Sequence, residues 1–314
     1  MDCIYAEKEF IRIVEREVLN QMQIGYCIIC HRNTNILRTT IDILFKGDNN
    51  IYLHVDKKAN IDDFYEYKNK VIFVENRIDV TWASYSQIEC MITLLKAAAE
   101  MKNDYICLLS GDCLPLKNSE EIKDFFIKNS GSEFIGIQKE PDLNELENNV
   151  KYEHSKLSFV RKKNVLQSIK FKIQNSTTTA KINKSYKLLP KLYKGANWFC
   201  ITGELCDYIL QYLQDNNWYK KAFYNSFCGD EVFFQTIIMS SKYKYKIYKY
   251  NTDYDDNHME LRYIDWISGP EYPKMLTEQD FANIKEIENS DCIFGRKFNE
   301  NINIDNYKIA FNIK

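Results

Sequence analysis

The run IGYCIIC at residues 24–30 holds seven consecutive positions without a charge. A strand with one wet face alternates apolar and polar side chains. An unbroken apolar run marks a strand buried on both faces, and such strands belong to parallel sheets covered by helices. YICLLSGD at 105–112 is a second run of this kind. Between them the period changes to that of a helix at about 34–46, with Leu37, Ile41, Leu44 and Phe45 on one side and Gly47 as its stop. NIYLHVD (50–56) reads as a strand ending in Asp56, and VIFV (71–74) as another. Residues 84–102 read as a helix, with Ile88, Ile92, Leu95 and Ala99 at helical spacing. Asn118 and Glu121 form a capping box for a helix through Ile127, and EFIGIQ (133–138) reads as a fifth strand. This alternation predicts an α/β fold of Rossmann type, a mostly parallel sheet flanked by helices.

The remainder is less regular. Residues 1–21 read as an amphipathic helical extension, with Phe10, Ile13 and Val14 on one face. The segment 139–194 is polar and rich in Lys and Asn, and reads as a long, mobile insertion over the active face. GANWFCIT (195–202) returns to the strand pattern, and a helix follows at about 203–214. SFCGDEVFFQTI (226–237) sets Asp230 and Glu231 at the start of a helix, a place where acidic side chains cap free N–H groups and meet the positive end of the dipole. KYKIYKYN (244–251) alternates as a strand would, and 262–298 forms a C-terminal elaboration. With no internal repeat and no clean linker, residues 22–314 read as one domain.

Charged residues make up 27% and the net charge is −2, which gives no general drive toward nucleic acid. No window approaches the roughly 18 apolar residues of a membrane span, and residues 1–21 lack the apolar core of a secretory signal. Cytoplasmic residence is therefore expected, and the ten cysteines read as reduced core thiols, Cys27 and Cys30 among them. The four histidines are too dispersed to suggest a metal cluster, and GxGxxG, Walker A, HExxH and GxSxG are absent.

A nucleotide can still bind beyond the carboxyl ends of the strands. Those ends carry Cys30-His31-Arg32, His54-Val55-Asp56, Glu75-Asn76-Arg77 and Ser110-Gly111-Asp112. An Asp-x-Asp metal motif at the strand end would need an acid at Cys113, and Asp253-Tyr254-Asp255 reads as a surface turn, so a metal is not expected, and cations must then offset a departing diphosphate. Lys274, Arg296 and Lys297 are the late candidates, with plain surface charge as their other reading. Trp266 and Trp198 offer flat faces to a sugar, or to the core.

YCIICHRN, IYLHVDKK, VTWASYSQIECMITLL, YICLLSGDCLPL, KGANWFCIT, GDEVFFQTI, LRYIDW and FGRKF follow one another in the order and approximate spacing of the core-2/I-branching β-1,6-N-acetylglucosaminyltransferases, relatives of the peptide O-xylosyltransferases. The resemblance runs from about residue 24 to 298. It implies a GT-A-like fold and inverting, metal-independent transfer from a UDP-sugar, a co-substrate rather than a cofactor, to a glycan hydroxyl. The family's catalytic base falls on Glu231, with Asp230 capping and orienting beside it on the acceptor side. Its diphosphate-binding lysine falls on Lys297, and a second basic residue on Lys274 or the adjacent Arg296. His54 and Asp56 match the region around the uridine, and Trp266 an acceptor-site tryptophan. The family's Asp at the place of Cys113 is missing, with Asp112 one position earlier, and a second acceptor-site aromatic falls on Ser268. Without anchor or export signal the chain resembles a bacterial version, acting on lipid-linked or polysaccharide acceptors at the inner membrane face, which the basic stretch 151–194 would contact peripherally. UDP-xylose or UDP-glucuronic acid as donor, and a non-catalytic sugar- or nucleotide-binding role, are the competing readings.

Overall fold

The computed structural model describes residues 22–160, 162–174, 181–270, 273–286 and 291–313; the helix read over 1–21 lies outside them. Six strands form the central sheet: β1 (Ile24–Cys30), β2 (Asn50–Val55), β3 (Ile72–Phe73), β4 (Tyr105–Ser110), β6 (Phe134–Ile135) and β7 (Phe199–Thr202). Their order is β3-β2-β1-β4-β7-β6. The first four are parallel, and β7 runs antiparallel to both of its neighbours. A second sheet, β5-β9-β8, joins β5 (Leu114–Pro115) to the late strands β8 (Arg262–Ile264) and β9 (Phe294–Arg296).

The apolar run of β1 is buried on both sides, as its composition requires. Ile24, Tyr26 and Ile28 pack with Leu37, Ile41 and Leu44 from the helix Asn35–Phe45 and with Ile122 and Phe126 from the helix Ser119–Lys128. Cys27 faces the other layer, against Leu94 of the helix Tyr85–Ala99, where the helix Gly203–Asp215 also packs. Cys27 and Cys30 are buried thiols within β1. The Asn118–Glu121 capping box is present.

Several expectations change. Phe45 is 42% exposed, because the helix buries Leu37, Ile41 and Leu44 and turns its last residue outward. The fifth strand is only Phe134–Ile135. KYKIYKYN is not a strand: Lys242–Lys246 form a 3₁₀ turn that buries Tyr243 and leaves Tyr245 in solvent, and a single bridge ties Ile247 to Glu133. The insertion 139–194 holds the helices Leu143–Lys151 and Val165–Gln174. Its polarity reflects surface helices rather than missing structure: the first buries Leu146 and Val150, and the second buries none of its described residues.

Ile41→Ala should therefore cost about 2–5 kcal/mol, whereas Phe45→Ala should stay within about 0.5 kcal/mol. Urea midpoints at unchanged slope check both.

Candidate active site

In a parallel sheet the crevice opens where the strand order reverses, so that neighbouring strands send their chains in opposite directions along the sheet. Here that point lies between β1 and β4, which pair in register from Ile24–Tyr105 to Ile29–Ser110. A cleft of about 390 Å³ lies at these strand ends, lined among others by Cys30, Asp56, Gln87, Asp112, Trp198 and Lys297. Asp56 is buried and accepts from the Lys58 N–H (2.8 Å) and the Val80 N–H (3.3 Å), which fixes the loop after β2.

Arg32 and Lys58 line the cleft from the loops after β1 and β2, and two further cations come from the far end of the chain. Because β9 pairs with β5, directly after Asp112, it delivers Arg296 and Lys297 to the end of β4. The Phe298 N–H donates to the Asp112 carbonyl (3.0 Å), and the Lys297 ammonium stands 3.6 Å from the Asp112 carboxylate. Arg296 donates from Nε to the Ser110 hydroxyl (3.3 Å) and lies over the buried Trp198 ring at 5.0 Å. Cys113 is fully buried, so of this pair Asp112 alone lines the cleft.

Asp230 and Glu231 are not a helix start. They sit in the 3₁₀ turn Gly229–Glu231, and the helix Phe233–Met239 begins two residues later without a side-chain cap. Cys228 enters the turn with φ of +49° and donates its N–H to Ala83, itself at +61°. The Gly195 N–H donates to the Glu231 carbonyl (2.9 Å). A Cβ on Gly195 would stand only 1.8 Å from the Gly136 carbonyl oxygen, so only glycine lets this loop pass.

Asp230 does not cap a helix. Its buried Oδ2 accepts from Asn197 Nδ2 (2.8 Å) and from Gln87 Nε2 (3.2 Å), which ties the turn to the cleft wall. Burial pushes its carboxyl up to about 6. The Glu231 carboxyl is pushed up to about 7, first by burial, then by the charge of Asp230, against the pull of Lys194. Lys194 Nζ lies 3.6 Å from Glu231 and 3.5 Å from Glu145, a residue of the helix Leu143–Lys151. An ammonium, not a helix dipole, is what favours the ionised form of Glu231.

Three expected residues lie elsewhere. His54 is fully buried and accepts the Ile78 N–H at Nε2 (2.8 Å); burial lowers its pKa to about 4, so it holds a loop from behind the cleft. Lys274 is paired with Asp280 (2.6 Å) and does not line the cleft. Trp266 is 48% exposed beyond β8, donating to Asn257 (3.2 Å). Conversely, Lys194, Asn197 and Gln87 stand in the motifs KGANWFCIT and VTWASYSQIECMITLL without having been singled out. Their residue types are ordinary, and only contact with the acids sets them apart.

Residues 24–290 match the family model of the Core-2/I-Branching enzyme. The chain belongs to that family. No curated protein matches it. As a Core-2/I-Branching enzyme it is a glycosyltransferase, which implies a nucleotide-sugar donor and a glycan acceptor. Among the described residues of this enzyme no helix is long and apolar enough to cross a membrane.

The raised carboxyl has a thermodynamic signature. In the unfolded chain Glu231 loses its proton near 4.5, and in the folded protein near 7. Between those values the native state holds a proton that the unfolded state has released, so this contribution is fully present below about pH 4.5 and is lost as pH rises through about 7. Asp230 adds the same sign from 3.8 to about 6. The Glu231 side chain is 36% exposed, so solvent screens the effect. Relative to wild type, Glu231→Gln should gain about 1 kcal/mol between pH 4 and pH 8. Urea unfolding at the two pH values measures it.

Proposed function

We propose that this glycosyltransferase is inverting and moves a sugar, N-acetylglucosamine foremost, from UDP to a hydroxyl of a glycan or lipid-linked saccharide without a metal ion. One observation carries the reading: Glu231, a carboxyl poised near neutrality, follows Asp230, which Gln87 ties to the wall of a cleft that holds Arg296 and Lys297. The acceptor oxygen attacks the anomeric carbon from the side opposite UDP. Its bond to carbon forms as the bond from that carbon to the diphosphate oxygen breaks, and the electron pair leaves with UDP. The acceptor proton passes to Glu231, whose pKa near the working pH suits a general base. The transition state is oxocarbenium-like, as in glycoside hydrolysis. Lys297, held by Asp112, and Arg296, laid on Trp198, meet the charge gathering on the leaving diphosphate.

Glu231→Gln should retain UDP binding and lose about 10²–10⁴-fold in transfer. In the wild type, UDP release across UDP-N-acetylglucosamine, UDP-xylose and UDP-glucuronic acid should fall as pH drops through about 7 and persist in excess EDTA. Normal turnover by the variant, or an EDTA loss restored by manganese, would overturn the reading.

The place where the acceptor is met belongs to the same proposal. On the helix Val165–Gln174, Val165, Leu166 and Ile169 are exposed beside the exposed Lys162 and Lys170. An apolar edge framed by lysines suits the surface of an anionic membrane. At low salt, vesicles containing phosphatidylglycerol should sediment the wild type and leave Leu166→Glu in solution. Equal behaviour of the two removes the membrane contact.

A further inference from the structure

We propose that Glu145, on the helix Leu143–Lys151, sets the basicity of Glu231 by competing with it for a single ammonium, that of Lys194. The inference rests on the transferase reading above, in which Glu231 takes the acceptor proton, and makes Glu145 a positioning residue that acts through Lys194.

The geometry is a bridge. Lys194 Nζ stands 3.5 Å from the Glu145 carboxylate and 3.6 Å from that of Glu231, and the lysine side chain is only 15% exposed. An ammonium with so little water around it is neutralised by its protein partners, and two carboxylates at almost equal distance divide it. The backbone holds it there. The Tyr193 N–H donates to Thr236 Oγ1 (3.1 Å), the Gly195 N–H to the Glu231 carbonyl (2.9 Å), and the Gln138 N–H to the Lys194 carbonyl (2.7 Å). The loop that carries the cation is thus pinned to the acid turn, while the competing acid arrives from the insertion.

The helix that brings it is placed as firmly. Asp142 Oδ1 accepts from the Asn144 N–H (2.9 Å) and the Glu145 N–H (3.0 Å), and Leu146 and Val150 are buried. The Phe227 N–H, on the chain entering the acid turn, donates to the Asn149 carbonyl (2.9 Å). Glu145 is the outer of the two carboxylates, 54% exposed against 36% for Glu231. Its hold on Lys194 is therefore the one that solvent, or a change in the insertion, loosens first.

The titratable groups that bear on Glu231 are Asp230 and Cys228 of its own turn, Lys194 of the loop before β7, and Glu145 of the helix. Lys194 is the one cation of these four. Removing the negative charge of Glu145 then acts on Glu231 twice in the same direction: a repelling charge goes, and the ammonium is left to Glu231 alone. The base ionises at lower pH and becomes weaker. A helix shift that takes Glu145 away from Lys194 does the same, so the position of the insertion is written into the charge of the base.

The test follows the carboxyl itself. The full chain is isotope-labelled at the glutamate Cδ, and the Glu231 resonance is identified by its loss in Glu231→Gln. Its titration midpoint should lie near pH 7 in the wild type. It should lie about half a pH unit lower in Glu145→Gln and about one pH unit higher in Lys194→Met. In the Lys194→Met background, Glu145→Gln should lose most of its effect. A midpoint that Glu145→Gln leaves in place, or moves equally with and without Lys194, overturns the proposal. Should Lys194→Met fail to fold, the nitrogen resonance of the Lys194 ammonium is compared between the wild type and Glu145→Gln: it should move, and an unmoved resonance overturns the proposal. The acid limb of UDP release from UDP-N-acetylglucosamine should follow the same midpoints. A limb that stays while the Glu231 resonance moves removes Glu231 as the base and leaves the coupling standing.

Discussion

Everything on the active face depends on β1 and β4 lying side by side while their chains depart in opposite directions along the sheet, β1 toward β2 and β4 toward β6. Each strand is apolar on both sides, so neither can move to an edge or slip by one residue without exposing its whole length. The pairing runs to the last residues: the Gly111 N–H donates to Ile29 (2.9 Å) and the Asp56 N–H to Cys30 (2.8 Å). Ser110 and Asp112 stand where they do because Leu108 and Leu109 are buried just before them. The core fixes the floor of the cleft, and the loops furnish its walls.

The acids show the opposite economy. Asp230 is buried and Glu231 partly so, next to each other, with their carboxyls pushed up. Ala83 and Cys228, bonded to one another, both adopt left-handed backbone, at a cost of about 1–3 kcal/mol each. None of this stabilises the fold. It gathers Gln87, Asn197 and Lys194 around two carboxylates, and the apolar layers behind the turn, Phe223, Phe233 and Phe234 among them, offset the cost.

How much of this was legible follows the same division. The apolar runs and the helical periods are properties of single segments, so β1, β2 and β4, the helices between them and the Asn118 capping box could all be read from the sequence. KYKIYKYN could not, because a chain alternating Lys and Tyr fits a strand on paper, and only the burial of Tyr243 beside exposed Tyr245 selects a turn. The site divides likewise. Asp56 and Asp112 follow from being at strand ends, and Arg296 and Lys297 from the resemblance of FGRKF; all four line one cleft. His54 sits at the same kind of end, yet its side chain turns inward, which alternation within an all-apolar strand does not reveal. Lys194 was invisible because its meaning is a distance to Glu231 across 37 residues of chain (231 − 194). The capping role expected of Asp230 failed because a 3₁₀ turn, not a helix, follows Gly229.

The route by which Arg296 and Lys297 reach the cleft has a consequence for biosynthesis. The contact between Arg296 and Ser110 closes a loop of 186 residues, and β9 is the last strand of the chain. A nascent chain can complete the large sheet once β7 has emerged, yet its cleft then carries Arg32 and the Lys58–Asp56 pair while Asp112 still lacks Lys297. Its charge balance at that stage is two positive charges short of the finished one. On the ribosome, the fold and the full positive charge of the cleft are thus acquired at different times, and the second arrives only when the C-terminal strand docks.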